Sequence, residues 1–291
     1  LTGEFSGETD FGGDTINASG DIYVANYDFL TGNLNWVESG GGLGVDRVFD
    51  LTTTASGGVK LATITDGITL WGGNSYSATG TVDTVIVEFD VMGTFQSMTG
   101  YGSANQQTIA LKLFSDFNGD FYMAGTFGGT LAGSGWSATA SYGGNDIFVI
   151  RQAASSANSW AFVSGSSGND EPRGLAVTAN GMVVYGGFIT ASHAFDTITL
   201  SPANHDGYLA ALSSSGSIDW AEKIGGSQYD YVWDLAVNMT DGIAASGSYS
   251  GSMTHDGTTI TSTGGRDTFV WAFDPTVLTD SDSDSIVDID D

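Results

Sequence analysis

The chain contains no cysteine and only 3 prolines, so disulfides and thiolate metal sites play no part in its stability. Basic residues are scarce as well: 7 Lys+Arg stand against 34 Asp+Glu, a net charge of −27. Phosphate backbones and anionic membrane surfaces are bound through Lys/Arg clusters, whose absence excludes nucleic acid and leaves anionic membrane surfaces to repel the chain. No apolar stretch reaches the roughly 18 residues of a membrane span. Leu1 leads into a strand-like segment without a basic leader, as expected of a mature or trimmed product. Charged residues make up 14% of the chain against about 25% in an average domain, while 41% apolar and 12% aromatic residues leave ample material for a core. The acids divide into 28 Asp and 6 Glu, a bias toward turns and strand ends and away from helix surfaces.

What the chain does have is a repeat. Asp21, Asp83, Asp146, Asp206 and Asp267 each open an apolar or aromatic strand, at spacings of 62, 63, 60 and 61. Trp36, Trp160 and Trp220 follow their Asp by 15, 14 and 14 residues, with Ser97 in the second copy. Ten residues on come Asp46, Asp170 and Asp230, with Gln107 read as the substitute in the second copy. Gly57, Gly119, Gly181 and Gly242 then mark tight turns, three of them preceded by Asn or Asp, a strong hairpin signal. Each unit reads as four short strands with a Gly/Ser/Thr-rich insert between the second and third, and no helical period appears anywhere. Four-stranded units that cannot bury their own faces and recur at a fixed period imply an all-β chain and a β-propeller of about 61-residue repeats, about five blades in all. Both end blades are expected to be incomplete. The chain enters at a second strand, since Gly3 to Gly7 matches Gly247 to Gly251, and leaves after a third strand at Phe273, so the two partial blades overlap and cannot merge into one.

Trp220, Gly225, Gly226, Asp230, Leu235, Gly242, Gly247, Tyr249, Asp267 and Phe269 together resemble the β-propeller repeat widespread in surface and secreted proteins of bacteria and archaea. The resemblance covers residues 1 to about 278. It implies an extracellular or cell-surface scaffold or binding role with no single chemistry. The expected division is a propeller over 1–278 and an acidic tail over 279–291.

The tail is similar to a thrombospondin type 3 or dockerin-like calcium loop. Asp280, Asp282, Asp284, Asp288 and Asp291 occupy positions 1, 3, 5, 9 and 12, and the carbonyl of Ile286 stands at position 7, a donor set suited to Ca2+ with its 6–8 oxygens. Ser285 replaces the glycine of the sharp turn; the alternative is an acidic linker. Asp116, Asn118 and Asp120 form a weaker calcium candidate that coincides with the repeat's hairpin turn. The repeated aspartates are read as turn caps, and Trp36, Trp160 and Trp220 as packing between blades. Trp71 and Trp136, within the Gly-rich inserts, are the better candidates for stacking on sugars. His193, His205 and His255 are read as loop residues. No nucleophile elbow, phosphate loop or zinc spacing occurs. The expected function is a non-enzymatic binding or structural module for adhesion or scaffolding, with protein, carbohydrate or copies of itself as partner. The alternatives are a polysaccharide hydrolase or lyase and a filament subunit completed by strand addition.

Overall fold

The computed structural model describes residues 1–140, 142–154, 158–255 and 258–275, with the side chains of 17–20 and 255 outside that description. The chain runs through β1 (Thr2–Asp10), β2 (Thr15–Tyr27) and β3 (Leu34–Leu43). It continues through β4 (Asp46–Thr53) and β5 (Val59–Thr65), a hairpin of β6 (Ile68–Trp71) and β7 (Asn74–Ser77), then β8 (Asp83–Phe89) and β9 (Phe95–Tyr101). The same succession follows as β10 (Thr108–Ser115), β11 (Phe121–Phe127), β12 (Thr130–Gly133), β13 (Trp136–Thr139), β14 (Asp146–Gln152) and β15 (Trp160–Ser164). It recurs as β16 (Glu171–Val177), β17 (Val183–Ile189), β18 (His193–Phe195), β19 (Ile198–Leu200), β20 (Asp206–Leu212) and β21 (Ile218–Gly226). The final unit is β22 (Tyr231–Val237), β23 (Ile243–Tyr249), β24 (Ser252–His255), β25 (Thr258–Thr261) and β26 (Asp267–Phe273). The fold is all-β, and among the described residues no helix is long and apolar enough to cross a membrane.

Three units form four-stranded antiparallel sheets: β4-β5-β8-β9, β10-β11-β14-β15 and β16-β17-β20-β21. The end sheets have three repeat strands each. Among the described residues the first, β1-β2-β3, has no counterpart of the unit's first strand, and the last, β22-β23-β26, none of its fourth. The Gly-rich inserts are ordered hairpins: β6 pairs with β3 of the preceding sheet and β24 with β21, while Gly165 bridges Ala194 of β18. Three of the four inserts are thus paired to the unit before, and the fourth, β12-β13, reaches it through Trp136 stacked on Tyr101.

Four hydrophobic clusters lie at the four junctions between successive sheets. Alternation along each third strand explains them. On β20, Leu209 and Ala211 face the following sheet, whereas Tyr208, Ala210 and Leu212 face the preceding one. Leu175, Val177 and Leu235 are buried in first strands, the first two at one junction and Leu235 at the next, where Val237 packs against its cluster, as the strand phase requires.

Register corrects three details of the repeat. Thr65, Phe127 and Ile189 pair with Asp83, Asp146 and Asp206, and the residue opposite Phe127 on β10 is Thr108, so Thr108 takes the place of Asp46 and Gln107 that of Asn169. In the last unit Asp241, at φ 64°, occupies the left-handed turn position of Gly57, Gly119 and Gly181, and Gly242 follows it. Aspartate tolerates that conformation better than most residues. Finally, Thr190 and Ser250 donate equivalent N–H groups to Asp170 and Asp230, which aligns His193 with Met253 and His255 with Phe195.

Candidate binding site

The repeated aspartates tie sheets together. Asp83 accepts the Thr79 N–H at 2.7 Å, Asp146 that of Tyr142 at 3.1 Å, Asp206 that of Ala203 at 3.0 Å and Asp267 that of Thr263 at 2.8 Å, each closing the turn before its own strand. The second series works across the junction: Asp46 accepts from Gly42 at 2.9 Å and Asp230 from Gly226 at 2.7 Å, both in fourth strands of the preceding sheet. Gly225 lies between the two series, since a Cβ there would come within 2.8 Å of Asp206 and 2.9 Å of Asp230. Burial raises the Asp46 and Asp230 carboxyls above the ordinary range, with Asp206 adding repulsion at Asp230.

Asp170 differs. Burial pushes its carboxyl up, but bonds from His193 Nδ1 at 2.8 Å, the Ser166 hydroxyl and the Thr190 N–H at 2.8 Å outweigh it and hold the group below the ordinary range. His193 is fully buried against Phe195 and Tyr208, so it is no loop residue. His205 is half-buried, with its ring parallel to Phe188 and its Nδ1 3.2 Å from the Tyr231 hydroxyl.

The feature that sequence reading missed is a β-bulge at one position of every first strand. Register slips between Val48 and Asp50, Ala110 and Lys112, Pro172 and Gly174, and Val232 and Asp234. The extra residues are Phe49, Leu111, Arg173 and Trp233. A bulge re-aims side chains out of the alternating pattern and is common at the rims of sites. Phe49, Leu111 and Arg173 line one cavity of about 370 Å³ with Gln107, Asn145, Asn169 and Glu171. Arg173 pairs with Glu171 and lies 5.9 Å from the Trp233 ring, whose Nε1–H donates to Ser248 Oγ at 2.9 Å. Beyond the bulges, Lys112 Nζ on β10 meets Asp234 Oδ1 on β22 at 2.8 Å, passing β16 at Gly174, where a Cβ would come within 2.7 Å of Leu235. First strands of separate sheets thus converge. Asp50 joins the group, its carboxyl raised by burial against the opposing effects of the Leu113 N–H and the Lys112 charge.

The other sequence candidates fall as follows. Asp116 Oδ1 accepts the N–H groups of Asn118 at 2.9 Å and Asp120 at 2.8 Å, which is a hairpin turn. Asp120 itself is held by Arg151 Nε at 2.9 Å and the Ala154 N–H at 2.9 Å. Asp280, Asp282, Asp284, Ile286, Asp288 and Asp291 lie outside the described residues. Trp71 and Trp136 are overturned as sugar platforms: both are buried, Trp71 over Gly40 and Trp136 stacked on Tyr101. They belong to the tying hairpins, and these inserts read as loops only because Gly and Ser carry no strand pattern.

No family model and no curated protein matches the chain. A solved structure of a protein of unknown function from Bacteroides caccae is similar over 84% of this chain and 81% of that one, at 13% identity and a TM-score of 0.32.

Proposed function

We propose that the chain is a β-propeller of about five sheets, acting outside the cell or at its surface as a non-enzymatic binding and structural module. The observation that carries this reading is the recurrence of the bulge at Phe49, Leu111, Arg173 and Trp233, the first three of which deliver an aromatic, an aliphatic and a cationic group to one cleft. With the amides of Gln107, Asn145 and Asn169 beside them, these groups suit a carbohydrate or an extended protein segment. Asp170 and Glu171 border the cleft but are engaged by His193 and Arg173, which favours binding over acid–base chemistry. Screening wild type against glycan and surface-protein panels tests the proposal: a ligand should emerge whose affinity falls at least about tenfold in Phe49→Ala and Arg173→Ala. A ligand that binds both variants as well as wild type would place recognition elsewhere.

A second reading, self-association, draws on the last sheet. Ala176, Val184, Leu209 and Ala211 are buried against that sheet. Among the described residues, no sheet covers their repeat equivalents Ala236, Ala244, Val270 and Ala272, and Val270 is 79% exposed where Leu209 is 0%. A neighbouring copy would cover this face. The acidic tail is proposed to take up Ca2+ and stiffen as the aspartates' repulsion is neutralised.

A further inference from the structure

The fourth-strand tryptophans reveal what the outer gap between neighbouring sheets is shaped to hold. Trp36 of β3 lies over the β8–β9 turn, its Nε1–H donating to the Val91 carbonyl at 3.0 Å and its ring 6.2 Å from Phe89. Trp160 of β15 repeats the arrangement two sheets on, donating to the Ser214 carbonyl at 3.0 Å. Trp220 of β21 meets Phe273 edge-on at 6.2 Å. At the remaining junction, between β9 and the sheet of β10, β11, β14 and β15, the position belongs to Ser97.

A cavity of about 230 Å³ opens there, lined by Lys60, Ser97, Thr99, Phe121, Gln152 and Ala154 among others. Its walls correspond to those of the filled sites. Phe121 pairs with Gln152 as Val59 pairs with Phe89 beneath Trp36, and as Val183 pairs with Leu212 beneath Trp160. Ala154, two residues past Gln152, holds the place of Val91 and Ser214, the two carbonyls that accept from the indoles. The rim also carries polar groups, as the Trp160 site carries Arg151, whose guanidinium donates to the Ser214 carbonyl at 2.9 Å. Lys60 Nζ stands 5.7 Å over the Phe121 ring and pairs with Glu88, and Ser97 and Thr99 contribute hydroxyls.

We propose that this cavity is a binding site for one planar aromatic ring bearing an N–H or O–H donor, an indole or a phenol. The ring takes the place that the chain's own indole fills in the other units. It rests against Phe121 and donates to the Ala154 carbonyl, and the Lys60 ammonium lies close enough to add a cation–π contact. Without a guest, the lining forfeits the dispersion contacts that the other junctions make. The site is separate from the bulge cleft and stands whether or not that cleft binds a ligand.

Titrating the full chain, 15N-labelled, with indole tests the proposal. Saturable shifts are expected at residues 97–101, 119–121 and 152–154, with a dissociation constant on the order of 1 mM for so small a guest. Ser97→Trp should abolish uptake by supplying the ring in cis, and Ser97→Leu, which fills the gap only partly, should weaken it about tenfold. Phenol should bind at the same residues, and cyclohexanol, of similar bulk but not planar, should bind at least about tenfold more weakly. The proposal is overturned if indole moves none of these resonances up to its solubility limit, if folded Ser97→Trp or Ser97→Leu binds indole like wild type, or if cyclohexanol binds equally well.

Discussion

Replacing Asp170 by Ala removes the acceptor on which three donors converge: the buried His193 Nδ1 and Ser166 hydroxyl and the part-buried Thr190 N–H. Both Asp170 and His193 lie essentially out of reach of water, and leaving buried donors without their acceptor costs about 1–3 kcal/mol each. Asp230 occupies the equivalent position, with two backbone donors at 2.7 and 3.1 Å, Met253 in place of the histidine and Asp206 nearby. Asp230→Asn keeps a hydrogen-bonding oxygen and removes a charge that burial disfavours, so it should cost less than about 1.5 kcal/mol at pH 7. The pH dependences run in opposite directions. Asp170 has a depressed folded-state pKa, so its stabilisation is full above the unfolded value of about 3.9 and is lost as pH falls through the folded value. Asp230 has a raised one, so its charge destabilises at pH 7 and that cost is relieved as pH falls through the folded value toward the unfolded one. Urea unfolding followed by tryptophan fluorescence at several pH values from 7 to 3 should show the cost of Asp170→Ala shrinking with acid. Over the same range the cost of Asp230→Asn should grow, because only wild type gains. Equal costs with the same pH slope would refute the reasoning, since burial alone would then govern both carboxylates.

Leu235→Ala, a truncation in the cluster between the last two sheets, should destabilise by about 2–5 kcal/mol in the same assay, and a loss below about 0.5 kcal/mol would contradict the strand phase. Raising NaCl from low salt to about 0.5 M, with divalent ions removed, should raise the melting temperature, because screening over a Debye length of about 8 Å at 0.15 M already weakens repulsion among 34 acids. Asp282→Ala combined with Asp284→Ala should reduce calcium uptake and leave the tail open to protease in calcium, whereas equal uptake and equal cleavage would make the tail a linker only. Val270→Asp should lower the apparent mass in light scattering at high concentration, and a chain that is monomeric with or without it would exclude self-association through that face.

The repeat spacing alone carries the all-β class and the strand order within each unit. Asp83 or Asp206 at a strand entrance has one strong physical reason, the N–H groups of the preceding turn, and so is legible from sequence. The bulges are not, because Phe49, Leu111, Arg173 and Trp233 share no side-chain chemistry; what they share is a slip in backbone pairing. A trace of that slip does exist: Ala110 and Leu113, or Val232 and Leu235, are partners in the same cluster although residues three apart on a regular strand face opposite sides. His193 escaped because its acceptor, Asp170, lies 23 residues away and is reached only when the insert folds back as a hairpin.

The convergence of the first strands has the most direct test in zero-length carbodiimide coupling, since the chain has three lysines, Lys60, Lys112 and Lys223. Mass spectrometry of the coupled protein should recover Lys112 joined to Asp234, 122 residues apart in sequence, beside the pairs Lys60 with Glu88 and Lys223 with Asp206. Recovery of the latter two pairs with Lys112 uncoupled, or coupled only to carboxylates outside the first strands, would contradict the convergence on which the proposed cleft depends.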